Sequence, residues 1–226
     1  MRRVGILGGM GPQATILLMQ KVLAAVPAQD DADHIPLIVD QNPQVPSRIR
    51  RLIEGVGEDP GPVLADMARR LVAGGAEALA MPCNTAHHYA PVIRAAVDVP
   101  FLDMVALSVR RAVGLADGSV GILASPAVRR IGLFDAAFAG TGIRPVYPED
   151  EAALLGAIRQ IKASGPLPEA AQVLRTASDW LLRRGATVQM IACTEFSLLA
   201  GATAGGVTAF DTLDVLVGAI RDFAIG

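Results

Sequence analysis

Only two of the 226 residues are cysteine, and no apolar run comes near membrane length. Two cysteines cannot build the disulfide framework of a small secreted domain, so a reduced, cytoplasmic setting is expected. Although 52% of the residues are hydrophobic, they are carried by short runs of Ala, Val and Leu. None approaches the roughly 20 apolar residues that a membrane span needs. Excess charge of one sign is lacking too. A net charge of -2 and a pI near 5.9 leave no electrostatic footprint for nucleic acid. Arg2-Arg3 before an apolar stretch has the start of a signal peptide, but Gly8, Gly9, Gly11 and Pro12 break that stretch and Lys21 interrupts the next one. The length suffices for a sizeable core, in one domain or two small ones.

The residues that are present repeat. Leu71, Gly75, Ala76 and Cys83 recur as Leu181, Gly185, Ala186 and Cys193, every one 110 positions later. Each copy reads as a helix end, a glycine stop, a short buried strand, and a cysteine where the strand gives out. Val4-Gly5-Ile6-Leu7 recurs at Val120-Gly121-Ile122-Leu123, and Val99 to Asp103 is echoed by Val207 to Asp211. Between these lie a helical pattern from Pro12 through Leu23 and a strand over 35–39. A polar, proline-stiffened loop comes next over 40–48, then a helix over 63–71 and another over 90–97. The second copy adds a strand over 143–147 and helices over 151–162 and 169–184. Strands alternating with helices predict parallel sheets in an α/β fold. The reading is two similar Rossmann-like halves related by a pseudo-twofold, residues 1–98 with 212–226 and residues 99–211. The site is expected in the cleft between them, at the carboxyl ends of the strands.

A cysteine ending a buried strand is most often a small hydrophobe. The duplicate placement, and the polar pairs Asn84-Thr85 and Thr194-Glu195 beyond the cysteines, point instead to chemistry. A strand-to-helix turn is expected to favour the thiolate at each cysteine. Two thiols on opposite sides of one carbon permit inversion: one removes a proton from one face and the other delivers a proton to the opposite face. A redox pair is the remaining reading of the same two residues.

Four motifs then carry a resemblance: Gly5-Ile6-Leu7-Gly8-Gly9-Met10-Gly11-Pro12, Asn42-Pro43-Gln44-Val45-Pro46-Ser47-Arg48, Met81-Pro82-Cys83-Asn84-Thr85-Ala86-His87 and Ala192-Cys193-Thr194-Glu195. In this order, over nearly the whole chain, they resemble the PLP-independent aspartate/glutamate racemase family, aspartate racemases above all. The resemblance implies a cofactor-free racemase of a small acidic amino acid, often a homodimer, with Cys83 and Cys193 as bases. Relatives with one cysteine are decarboxylases, and those with threonine for one cysteine are broad-specificity racemases; this chain keeps both thiols. By resemblance, Arg48 binds the side-chain carboxylate, where a planar fork suits bidentate contact. Lys162 lies at a second basic substrate contact, or is simply a helix-end lysine favoured by the dipole. Asn84 and Thr85 are candidates for the α-carboxylate through backbone N–H groups at a helix start. Thr194 is their counterpart, and Met10 is a further substrate contact. His87, four residues after Cys83, reads as a structural or tuning residue.

One departure stands out. The family's threonine-rich turn is here Ser125-Pro126-Ala127-Val128-Arg129-Arg130. Ser125 keeps a hydroxyl, Pro126 removes a backbone donor, and the two arginines either extend an anion site or face solvent. Two rival functions remain open on the residues. Gly9 to Ala14 fits G-x-G-x-x-A after a strand, with Asp40 ending the next, which would serve an NAD(P)-dependent oxidoreductase. The same two lobes could also bind a small ligand without catalysis.

Overall fold

Eight short strands, buried on both faces where they lie centrally, set the architecture of the chain, whose computed structural model covers residues 1–226. The elements are β1 (Val4–Gly8), α1 (Pro12–Ala24), β2 (Leu37–Gln41), α2 (Arg48–Leu52), α3 (Gly61–Ala73), β3 (Ala78–Ala80), α4 (Ala90–Ala96), β4 (Phe101–Leu102) and α5 (Met104–Val113). They continue as β5 (Ser119–Ala124), α6 (Pro126–Arg130), α7 (Leu133–Phe138), β6 (Arg144–Val146), α8 (Glu151–Ser164), α9 (Pro168–Arg183), β7 (Val188–Ala192), β8 (Thr208–Asp211) and α10 (Thr212–Ile225).

Two parallel four-stranded sheets result, ordered β2-β1-β3-β4 and β6-β5-β7-β8. β1 and β3 are wholly buried, as is β7, which is why they read as unbroken apolar runs rather than alternating ones. The chain divides into two compact units: Met1–Leu107 with Leu213–Gly226, and Ser108–Thr212. The first boundary therefore lies beyond residue 98, where the sequence pattern put it. The physical reason is that β4 pairs with β3, Leu79 opposite Phe101 and Ala80 opposite Leu102. Val99 to Asp103 thus completes the first sheet instead of opening the second.

The repeat extends to the buried faces and closures of the helices before β3 and β7. α3 buries Leu64, Ala65, Met67, Ala68 and Leu71 along one face, and α9 buries Ala170, Leu174, Ala177, Ser178 and Leu181. Each helix closes in the same way. The Ala76 and Ala186 N–H groups reach back to the Leu71 and Leu181 carbonyls, both at 3.0 Å. Gly75 and Gly185 donate to Val72 and Leu182, both at 2.9 Å. This closure needs a left-handed residue, and Gly75 and Gly185 have φ of 96° and 82°. The first unit has two apolar layers. One groups Leu64, Met67, Leu71, Leu79 and Met81 with Cys83. On the other, Ile6 and Leu18 pack with Leu213, Leu216 and Ile220 of α10.

Candidate active site

In the first unit the glycine-rich loop after β1 is held by its neighbours. The Gly9 N–H donates to Thr15 Oγ1 at 2.9 Å, and the Asn42 N–H donates to the Gly8 carbonyl at 3.3 Å. Gly9 has φ of 90°, and a β-carbon there would lie 2.4 Å from the Asn42 backbone. The glycine is therefore needed for backbone to approach backbone, which ties this loop to the one that leads to Arg48. Asp40, the acid that a dinucleotide reading requires, is held by Arg70 Nη2 at 2.7 Å.

Arg48 does not sit in the loop proper. It opens α2, whose N-cap Ser47 accepts from the Arg50 N–H. Its Nη1 donates to the Pro46 and Val45 carbonyls at 3.0 and 3.3 Å, while its Nε is buried and unpartnered. The guanidinium is thus fixed by neutral carbonyls and carries no ion-pair partner of its own. Met10 is buried in one apolar cluster with Val45, Cys83, Ala86 and Tyr89.

Cys83 lies just past β3 and is buried. Asn84, also buried, is the N-cap of a 3-10 turn over Thr85–Tyr89, with Thr85 half-buried. His87 lies inside this turn and holds the cysteine's backbone. The Met104 N–H donates to Nε2 at 3.1 Å, which makes Nε2 the acceptor, so Nδ1 carries the proton and donates to the Cys83 carbonyl at 2.8 Å. Burial pushes His87 below the usual imidazole range and keeps it neutral, although Asp103 pulls the other way. His87 ties the Cys83 carbonyl to the start of α5.

In the second unit Ala124 pairs with Ala192, so Ser125 and Cys193 leave adjacent strands at the same level. Ser125 is buried and caps α6, accepting from the Ala127 N–H at 3.3 Å. Pro126 takes the first helical position, where the missing N–H has no intrahelical acceptor to lose. Arg129 is paired with Glu151 at 2.9 Å on the exposed surface. Cys193 and Thr194 are buried.

Sequence reasoning missed Glu195 as more than a polar neighbour. It is 8% exposed; its Oε2 accepts from Cys193 Sγ at 3.1 Å, and its Oε1 lies 2.5 Å from Lys162 Nζ in the last turns of α8. Its signal was visible, since an acid two residues after a buried cysteine has to find a cation. The expectation that the turn favours a thiolate is reversed at Cys193. Burial pushes this thiol well above its ordinary range, and the Glu195 carboxylate adds to that, against the smaller opposite pull of Lys162. No three His, Cys, Asp or Glu side chains converge as a metal site would require.

Each unit thus carries a cysteine beyond a central strand, with a polar pair directly after it and one cation supplied after the edge strand two places away, Arg48 after β2 and Lys162 after β6. A family model of Asp/Glu/hydantoin racemases matches residues 7–220. The chain is 33% identical over 106 residues to a broad-specificity amino-acid racemase, RacX, of Bacillus subtilis, covering 45% of each chain. It is 30% identical over 142 residues to a glutamate racemase of Acidothermus cellulolyticus, covering 60% of this chain and 51% of that one. The matches thus span about half the length of these relatives. Among solved structures, the aspartate racemase of Picrophilus torridus has the same fold, with a TM-score of 0.89 at 24% identity over 99% of this chain and 94% of that one. A glutamate racemase of Francisella tularensis in complex with D-glutamate aligns with a TM-score of 0.69 at 14% identity, over 98% of this chain and 80% of that one.

Proposed function

Because the chain belongs to the Asp/Glu/hydantoin racemase family, we propose that it is a cofactor-independent racemase interconverting L- and D-aspartate, or a related acidic amino acid, with Cys83 and Cys193 as its two bases. One observation carries this reading. Each thiol closes the same framework, in sheets of the same strand order, with its glycine, its helix closure and its polar pair repeated. A reaction whose substrate and product are mirror images calls for two similar groups, one for each face of Cα.

In this proposal the thiolate of one cysteine takes the Cα hydrogen as a proton and the bonding pair stays on Cα. The thiol of the other cysteine then gives its proton to the opposite face. A carbanion next to a carboxylate needs donors and cations around it. Arg48 binds the side-chain carboxylate through its fork, and Asn84 and Thr85 hold the α-carboxylate. Thr194 and Ser125 supply hydroxyls from the second half, Lys162 supplies the second cation, and Met10 an apolar wall. The oxidoreductase reading is the weaker one, because Arg70 holds Asp40 and the Asn42 backbone fills the space at Gly9. A homodimer in a cytoplasmic setting belongs to the same proposal, and light scattering on the purified protein tests the dimer.

The deciding experiment is deuterium incorporation at Cα of L- and D-aspartate in D2O, without added cofactor, for wild type, Cys83→Ser and Cys193→Ser. Exchange with inversion in the wild type, and loss of inversion in both variants, is the expected result. No exchange with aspartate or glutamate in the wild type would sink the proposal and leave binding alone.

A further inference from the structure

The two halves differ chemically at one matched position. Two residues beyond the cysteine the first half has Thr85, neutral and half-buried, and the second has Glu195, a buried acid. The Glu195 carboxylate is engaged on both sides, by Lys162 at Oε1 and by the Cys193 sulfur at Oε2. An ionised carboxylate only accepts hydrogen bonds, so the 3.1 Å contact requires the thiol to donate. A thiolate in the same place would set two anions against each other in a buried site.

We infer that Glu195 is a positioning residue that keeps Cys193 as the thiol in the resting protein and takes its proton at Oε2 when Cys193 has to act as a base. The assignment of acid and base rests on the racemase reading above; the thiol–carboxylate pair does not. When Cys193 acts as the acid, its S–H bond breaks, a C–H bond forms at Cα, and a thiolate remains. In the opposite direction the S–H bond first breaks in favour of an O–H bond on Glu195, leaving a thiolate and a carboxylic acid. The thiolate then takes the Cα proton and becomes a thiol again. The Glu195 proton leaves to water, which restores the carboxylate beside Lys162. Glu195, just past β7, and Lys162 of α8 are the charged groups acting on this sulfur. Only the direction in which Cys193 donates is available without this prior transfer, so the two directions acquire different pH profiles.

The test uses the Cys83→Ser protein, in which Cys193 is the single thiol, and follows the carbon-13 shift of its labelled Cβ against pH. In this background the thiol is expected to titrate above the ordinary range. Adding Glu195→Gln should move the midpoint down by about one pH unit or more, about a tenfold gain in thiolate at fixed pH. Adding Lys162→Met should move it up. A purely structural Glu195 would leave the midpoint of Glu195→Gln unchanged, and that result would overturn the inference whatever Lys162→Met does. Should Glu195→Gln fail to fold, Glu195→Asp, which keeps the charge but draws it back from the sulfur by one methylene, carries the test: the midpoint is expected to fall, and an unchanged midpoint overturns it. The readout needs no turnover, so a protein inert towards aspartate would sink the proposed function and leave this result standing.

Discussion

Gly5 lies so close to Ala76 that a β-carbon on the glycine would come within 2.8 Å of the Ala76 Cβ, and within 3.1 Å of Leu71 Cβ. Its counterpart Gly121 faces Leu181 Cδ1 at 2.9 Å and Ala186 Cβ at 3.4 Å, the same two helix-closure positions one repeat later. Gly5 also meets the flexible Leu79 Cδ2 at 2.8 Å, but the Ala76 and Leu71 Cβ atoms are fixed to the backbone and cannot swing away, whereas the two nearest atoms to Gly121, Leu181 Cδ1 and Gln189 Cγ, belong to side chains that can rotate. Gly5→Ala is therefore expected to cost about 2–3 kcal/mol and Gly121→Ala about half of that. Urea unfolding of the two variants checks the order; an equal or inverted cost would contradict it.

Gln189 occupies in β7 the place that Leu79 holds in the first half, and it is wholly buried. It accepts from Ser178 Oγ at 2.5 Å and donates to the Ser178 and Ala186 carbonyls at 2.9 and 3.2 Å. Ser178 Oγ in turn accepts from the Ala204 N–H at 2.8 Å. Replacing Gln189 by leucine removes three buried hydrogen bonds at once, so a loss of about 2–4 kcal/mol is expected. The Ser178→Ala, Gln189→Leu double variant should cost less than the sum of the two single changes, by about 1–2 kcal/mol. Strict additivity in denaturant unfolding would show that the pair is not coupled.

His87 supplies a pH dependence of known sign. Its folded-state pKa is depressed by burial, so the unfolded chain binds a proton that the folded one refuses. Stability from this residue is fully present above the unfolded value near 6.5 and is lost as pH falls towards the folded one, by at most about 1.4 kcal/mol per pH unit. His87→Asn retains an N–H for the Cys83 carbonyl but no titrating group. Thermal unfolding between pH 7 and 5 should therefore fall less steeply in the variant, at the cost of a lower melting temperature at neutral pH.

Arg48 is anchored by carbonyl groups through Nη1, and its function is proposed to lie in its fork. Arg48→Lys preserves the charge and removes the bidentate geometry. The expected result is a fall in kcat/KM of about 100-fold, carried largely by KM. Steady-state rates with L-aspartate check it, and a variant with the wild-type KM would remove Arg48 from the substrate.

Most of the fold is legible in the chain because its apolar strands and glycine stops repeat. The pairs Gly75 and Gly185, and Leu71 and Leu181, announce matching closures by their spacing alone. The features that the chain does not announce are set by partners distant in sequence. Val99 to Asp103 looks like the start of a second half, and only pairing with β3 assigns Phe101 and Leu102 to the first sheet. α2, α5 and α10 go unread although Ser47 and Asp103 cap the first two, because each begins directly where a loop or strand is expected to end and its start merges with that element. At the site, the cysteines are legible as a pair. Their inequality comes from burial and from Glu195, which stands in the sequence two residues after Cys193, but only the fold brings its Oε2 onto the Cys193 sulfur.

The first unit is built from both ends of the chain. Leu213, Leu216 and Ile220 complete the layer begun by Val4, Ile6 and Leu18, and the Arg2 N–H donates to the Ala224 carbonyl at 2.9 Å. A ribosome delivers these pieces more than two hundred residues apart. The half whose sheet is synthesised first must therefore wait, with one layer covered by α1 alone, while Ser108–Thr212 emerges with all of its strands in hand. The half made second is in a position to complete its core first, and the first half keeps that layer open beside α1 until α10 arrives.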